Sequence, residues 1–136
     1  GAMIEVPRAA ILADELADVC DFFSFGTNDL TQLTFGFSRD DAAKFLKDYY
    51  AKNILEKDPF MSLDTNGVGT LVKIATKMSK SIKPNISLGV CGEHAADESS
   101  IIFFDKIGLS YISASAYRIP VAKLAAAKAS LINKEQ

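Results

Sequence analysis

Phe22-Phe23-Ser24-Phe25-Gly26-Thr27-Asn28-Asp29-Leu30-Thr31-Gln32 joins an apolar run, a glycine and a carboxylate within eleven residues, and its reading decides the fold. The run Phe22 to Phe25 is too short and too aromatic for a helix and reads as a buried strand. Gly26 ends it by letting the backbone turn where a side chain would clash. Asp29, followed three residues on by Gln32, has the form of a capping box, which sets Asn28 and Asp29 between a strand end and the first turn of a helix. Ligands bind at that junction in α/β folds. A capped helix with no chemistry accounts for these residues equally well.

Strand-then-helix order recurs on either side. Met3 to Val6 reads as a strand, and Pro7 opens a helix carrying Leu12, Leu16 and Val19 on one face. After the central strand, Leu30 to Phe35 continues as a helix, and Ser38 with Asp41 caps another bearing Phe45, Leu46 and Tyr49. Asp58-Pro59-Phe60 and Asp64-Thr65-Asn66-Gly67 are turn chemistry. Val68, Leu71, Val72, Ala75 and Met78 then mark an amphipathic helix closed by Pro84-Asn85. Ile86 to Val90 is a strand running into Cys91-Gly92-Glu93-His94, and Asp97 starts a helix with Ile101, Ile102 and Phe104 inside and Gly108 as its stop. Leu109 to Ser113 is the last strand and Ser115 to Arg118 a loop. Pro120 opens an alanine-rich helix to about Leu131, followed by a frayed polar tail. Crossovers too long for hairpins require parallel strands. A complete (β/α)8 barrel needs about 250 residues, so four such units in 136 residues make half of one, or a small open doubly wound sheet. No glycine-rich nucleotide loop is present.

About half of the chain, 49%, is apolar, enough for one real core. A net charge of −2 with both signs interspersed gives no argument for nucleic acid or a membrane surface and leaves small polar metabolites as ligands. Cys20 and Cys91 are too few for a disulfide framework and no signal peptide pattern precedes them, so a reducing, cytoplasmic setting is the expectation.

Each inferred strand stops at polar or reactive residues: Glu5, then Thr27-Asn28-Asp29, then Cys91-Gly92-Glu93, then Ser113 and Ser115. Parallel strands bring all of these to one face. Glu5 and Asp29 suit Mg2+, which takes one or two protein carboxylates and completes its shell with water and substrate oxygens. Cys91 with His94 is too small a set for zinc. A helix N-terminus after Cys91 would favour its thiolate for acid–base work, whereas a lone cysteine is commonly a small buried hydrophobe. For His94, capping or hydrogen bonding in support of the site stands beside catalysis. Tyr49 and Tyr50 read as packing.

The string from Phe22 to Asp41 resembles the pyruvate phosphate dikinase family. So do Gly1 to Ala10, Asp58-Pro59-Phe60 with Leu63-Asp64 and Gly67-Val68-Gly69, Val90 to His94, and Arg118 to Ala122, in the same order. Phosphoenolpyruvate (PEP) synthase and enzyme I of the sugar phosphotransferase system share the Glu, Asn-Asp and Cys-Gly-Glu elements, but Phe35 to Asp41 resembles the dikinases alone. The resemblance implies that residues 1–136 are one partial domain, the C-terminal half, about strands five to eight, of a PEP/pyruvate-binding (β/α)8 TIM-type barrel. It implies that Glu5 and Asp29 hold Mg2+, that Gly26, Thr27, Asn28 and Asp29 bind pyruvate or PEP, and that Cys91 exchanges the methyl proton of pyruvate with its enolate. The phosphohistidine domain of the same enzyme would be its partner, ATP chemistry would belong to other domains, and His94 would not be the phosphocarrier. Position 2 is Ala where the family commonly has Thr. With both edge strands unpaired, the chain alone is expected to be inactive and to form a homodimer. A piece of PEP synthase or enzyme I, or a non-catalytic interaction piece, is the alternative.

Overall fold

Alternation along β2 (Phe22–Gly26) sends Phe23 and Phe25 to one side, where both are fully buried, and leaves Phe22 45% exposed on the other. The computed structural model describes residues 1–133. Around β2 stand β1 (Ala2–Ile4), β3 (Ser87–Cys91) and β4 (Tyr111–Ile112), all parallel and in the order β1-β2-β3-β4. The register sets Ile4 beside Phe25, Phe25 beside Val90 and Val90 beside Ile112, so one row of apolar side chains crosses the whole sheet.

Against that row pack α1 (Pro7–Ile11), α2 (Ala13–Val19), α3 (Thr27–Phe35), α5 (Val68–Ile82) and α6 (Glu98–Lys106), through Ala10, Ala13, Ala17, Leu30, Val68, Val72, Ala75 and Phe104. Helix α7 (Ile119–Ile132) lays Ala122, Ala125 and Ala129 against Ile101, with Ile112 and Ala114 beside them. Helix α4 (Arg39–Ala51) builds a satellite core of Ala42, Leu46 and Phe60, into which Phe37, Phe45 and Tyr50 pack. Tyr49 packs at a tilt against Phe45 with ring centroids 5.3 Å apart, so both tyrosines of α4 are packing residues. The strand order never reverses, which a doubly wound sheet requires. The fold is thus α/β with a four-stranded parallel sheet covered by helices on one side. The other side carries Met3, Phe22 and Tyr111, which are 52%, 45% and 36% exposed.

Several boundaries differ from the sequence reading. β1 ends at Ile4 rather than Val6, because Val6 stays extended but Pro7 already begins the helix. That helix breaks at Leu12 (φ −105°, ψ 31°), and the buried residues are Ala10, Ala13 and Ala17, while Leu12 and Leu16 are half-buried and Val19 is 78% exposed. Close packing of α2 on α5 favours the small side chains. β3 runs one residue later than expected, and β4 is only Tyr111–Ile112, although Ser110 N–H donates to Leu88 O at 2.6 Å and Ser113 N–H to Val90 O at 2.9 Å on either side of it. The helices over 68–82 and 98–106 match their apolar patterns, the alanine-rich helix runs from Ile119 to Ile132, close to the bounds that Pro120 and Leu131 set, and the Asp58 and Asp64 carboxylates close their turns on the N–H groups of Phe60 (2.8 Å) and Asn66 (3.1 Å). The expected frayed tail beyond Asn133 lies outside the described residues.

Candidate active site at the strand ends

β2 passes into α3 without a loop. Gly26 is its last residue and Thr27 already belongs to the helix, so Asn28 and Asp29 lie inside the first turn rather than ahead of it. The capping box therefore does not form: Gln32 Nε2 donates to Asp29 Oδ1 at 3.0 Å as an i, i+3 pair, and Gln32 Oε1 accepts from Arg39 N–H at 2.7 Å. Ser38 holds the N-cap position of α4 without a side-chain bond. Gly26 is required for space and not for its backbone angles (φ −84°, ψ 80°). A Cβ there would stand 2.8 Å from both Cβ and Oε2 of Glu5 and 3.1 Å from Met3 Sδ. Glu5, just past β1, thus leans its carboxylate over the end of β2.

On the uncovered side of the sheet, Ser24 Oγ donates to Cys91 Sγ at 3.5 Å, and the thiol in turn reaches Phe25 O at 3.6 Å. Beyond Cys91 the chain enters a four-residue 3-10 turn, Glu93–Ala96, and α6 begins only at Glu98. The helix N-terminus expected beside the thiol therefore lies further along the chain. Gly92 makes the bend with φ 102° and ψ 179°. Its Cα is so close to α3 that a Cβ would sit 2.9 Å from Thr27 Oγ1 and 3.0 Å from Asn28 Oδ1. Asn28 Oδ1 accepts from Glu93 N–H at 3.2 Å, and Thr27 Oγ1 lies 3.0 Å from Cys91 O. The ends of β2 and β3 are thereby stitched together by the side chains of Thr27 and Asn28.

His94 is fully buried beneath this junction. Its Nε2 lies 2.7 Å from Pro59 O and its Nδ1 2.8 Å from Thr27 Oγ1. Burial lowers its pKa below the usual 6.5, against opposing contributions from the Pro59 bond and the charges of Asp97, Glu93 and Asp58. At Asp97 burial acts to raise the pKa, but bonds from Ser100, Ser99 and Ser62 outweigh it and bring the carboxyl below its usual range. Arg39 Nη2 pairs with Glu93 Oε1 at 3.1 Å, and the two side chains are 44% and 47% exposed, so this rim ion pair contributes little stability. A cavity of about 360 Å³ opens beside it, lined by Lys57, Asp58, Ser62, Glu93, Asp97 and Arg118.

The structure therefore brings Glu5, Gly26, Thr27, Asn28, Asp29, Cys91 and Glu93 to one end of the sheet, while Ser113 and Ser115 stand exposed beyond β4. Among the described residues no group of three or more His, Cys, Asp or Glu side chains forms a metal cage. The donor set at hand, the carboxylates of Glu5 and Asp29, fits a hard cation that shares its shell with water and substrate. Sequence reasoning missed Ser24 and Arg39 as parts of the site. The alternation Phe22, Ser24, Gly26 against Phe23, Phe25 was the signal for Ser24; nothing local marks Arg39.

Fold and site define an α/β domain with its polar and reactive side chains gathered at the C-terminal ends of parallel strands, where such domains bind small ligands. Residues 1–131 match the family described as PEP-utilising enzyme, PEP-binding domain, and the chain belongs to that family. It is 58% identical over 134 residues to the pyruvate, phosphate dikinase of Clostridium symbiosum, covering 98% of this chain and 15% of that protein. It is 56% identical over 131 residues to pyruvate, phosphate dikinase 2 of Oryza sativa subsp. japonica, covering 96% of this chain and 15% of that protein. The chloroplastic pyruvate, phosphate dikinase of Flaveria bidentis is 56% identical over 128 residues, 94% of this chain and 13% of that protein. The chain thus spans about 15% of the length of the relatives it matches. No helix among the described residues is long and apolar enough to cross a membrane.

Proposed function

We propose that this chain is the second half, about strands five to eight, of the PEP/pyruvate-binding (β/α)8 barrel of a pyruvate, phosphate dikinase. In the complete enzyme it would serve phosphoryl transfer between a phosphohistidine and enolpyruvate, interconverting pyruvate and PEP. The observation that carries this reading is the convergence of Glu5, Thr27-Asn28-Asp29 and Cys91 on one sheet end, with the Cys91 thiol on the uncovered side. The half-barrel part is supported by the free edges of β1 and β4, the bare face bearing Met3, Phe22 and Tyr111, and an apolar hollow of about 510 Å³ beside β4 between α6 and α7. Each is a place where a further strand and helix would pack.

Each residue has its own share of the work. Gly26 leaves room for Glu5, and the first turn of α3, Thr27 to Asp29, turns its backbone N–H groups and the Asn28 amide toward the substrate's anionic oxygens, whose charge the helix N-terminus favours. Glu5 and Asp29 would hold Mg2+, which when bound offsets negative charge on the enolate oxygen. Cys91 gives its Sγ proton to the terminal carbon of the enolate, forming the methyl C–H bond of pyruvate and leaving a thiolate that recovers its proton from solvent. Ser24 Oγ, already donating to that sulfur, stabilises the thiolate. The phosphohistidine domain of the same enzyme is the proposed partner, a homodimer the proposed assembly, and a reducing compartment, cytoplasm or the plastid that some relatives' names record, the proposed setting.

Proton exchange tests the reading. In the full-length enzyme carrying this sequence, Cys91→Ala should lower turnover about 10²–10⁴-fold and suppress exchange of pyruvate methyl protons with solvent. Exchange at the parent rate would assign Cys91 to packing alone.

A further inference from the structure

His94 is the only histidine of the chain, is fully buried, and uses both ring nitrogens. A carbonyl oxygen only accepts, so the 2.7 Å approach of Nε2 to Pro59 O places a proton on Nε2. With the ring neutral, as its burial favours, Nδ1 is left as an acceptor facing the Thr27 hydroxyl at 2.8 Å. That hydroxyl has one proton and two claimants, Nδ1 and Cys91 O at 3.0 Å. The ring thus links three segments distant in sequence: the Asp58–Phe60 turn, the first turn of α3, and the strand end that carries Cys91.

Resting on the function proposed above, we propose that His94 is a positioning residue: through Nδ1, which shares the single Thr27 hydroxyl proton with Cys91 O, it fixes the rotamer that lays the Thr27 side chain beside Cys91, and its bond to Pro59 O selects the tautomer in which Nδ1 accepts. It touches neither substrate nor the reacting sulfur. Its effect is to keep the Cys91 backbone in register with Thr27 and Asn28, so that thiol and substrate oxygens keep their separation. A misplacement of about 1 Å between reacting groups can cost on the order of 10²-fold in rate.

The amide of asparagine reaches where Nδ1 stands, and that of glutamine where Nε2 stands. In the full-length enzyme His94→Asn therefore keeps the Thr27 bond and drops the Pro59 bond, while His94→Gln does the reverse. Action through Thr27 predicts that His94→Gln slows pyruvate methyl-proton exchange and kcat about 10- to 10²-fold with KM little changed, and that His94→Asn restores both to within about threefold of the parent. Equal effects of the two variants, or parent-level exchange in His94→Gln, would overturn the inference. Should the histidine variants fail to fold, Thr27→Val removes the hydroxyl on which Nδ1 acts and leaves the Pro59 bond intact; a folded Thr27→Val with parent-level exchange would overturn the inference as well, and slowed exchange that Thr27→Ser restores, with KM for pyruvate unchanged in both, would support it. Cys91→Ala, run alongside, separates the two ideas. If Cys91→Ala retains exchange, the functional reading fails; if it loses exchange while the Asn and Gln variants match, only the role of His94 fails.

Discussion

Replacing Gly92 by alanine should loosen the junction of β2 and β3. At φ 102° and ψ 179° the backbone occupies a region that L side chains rarely adopt, which costs about 1–3 kcal/mol. The added Cβ would also stand 2.9 Å from Thr27 Oγ1 and 3.0 Å from Asn28 Oδ1, so both side chains must retreat by a few tenths of an ångström. Those two oxygens make the bonds to Cys91 O (3.0 Å) and from Glu93 N–H (3.2 Å), and losing one adds about 0.5–1.5 kcal/mol. Together the local cost is about 1.5–4.5 kcal/mol, equivalent to amide exchange roughly 10- to 10³-fold faster at about 1.4 kcal/mol per decade. Hydrogen exchange with mass spectrometry on peptides spanning residues 87–97 of the full-length enzyme reads this directly, and turnover should fall on the order of 10²-fold as Cys91 and Asn28 lose their relative placement. Exchange and turnover both within about twofold of the parent would refute the reasoning.

Asp97 should matter for stability and not for chemistry: its carboxylate accepts from Ser100 N–H (2.9 Å), Ser99 Oγ (2.7 Å), Ser100 Oγ (2.6 Å) and Ser62 Oγ (3.2 Å), and Asp97→Ala should cost about 1–2 kcal/mol in urea unfolding with KM unchanged. Because its folded pKa lies below 3.8, this stabilisation is complete above that value and is lost as pH falls through the folded pKa, which an acid titration of the parent against Asp97→Asn will show. His94 acts in the same direction at higher pH. Its folded pKa is depressed below 6.5, so the fold has full benefit above 6.5 and loses it as the unfolded chain takes up a proton first on acidification. The urea midpoint should therefore drop between neutral and mildly acidic pH, and the drop should vanish in His94→Asn. The isolated chain, with Met3, Phe22 and Tyr111 on a bare face between two free strand edges, should self-associate in light scattering across a concentration series; a monomer at the highest concentration would contradict that.

The order of strands and helices was legible because its signals are local. Apolar spacing marks 68–82 and 98–106, Pro7 and Pro120 mark helix starts, and the Asp-led turns satisfy N–H groups two to four residues away. The gathering of Glu5, Asn28 and Cys91 at one end was legible too, since parallel strands admit no other arrangement. Local pattern misled where two answers fit it. Leu12, Leu16 and Val19 make as good a helical stripe as Ala10, Ala13 and Ala17, and only the close approach of α2 to α5 selects the alanines. Asp29 and Gln32 have capping spacing, yet β2 runs into α3 without the residue of slack a cap needs. What tertiary structure alone decided are the contacts between residues far apart in sequence: Ser24 under the Cys91 thiol, Gly26 cleared for Glu5, and His94 bonded to Thr27, 67 positions away. A sequence states which groups can bond; which of them meet depends on the packing of every element between them.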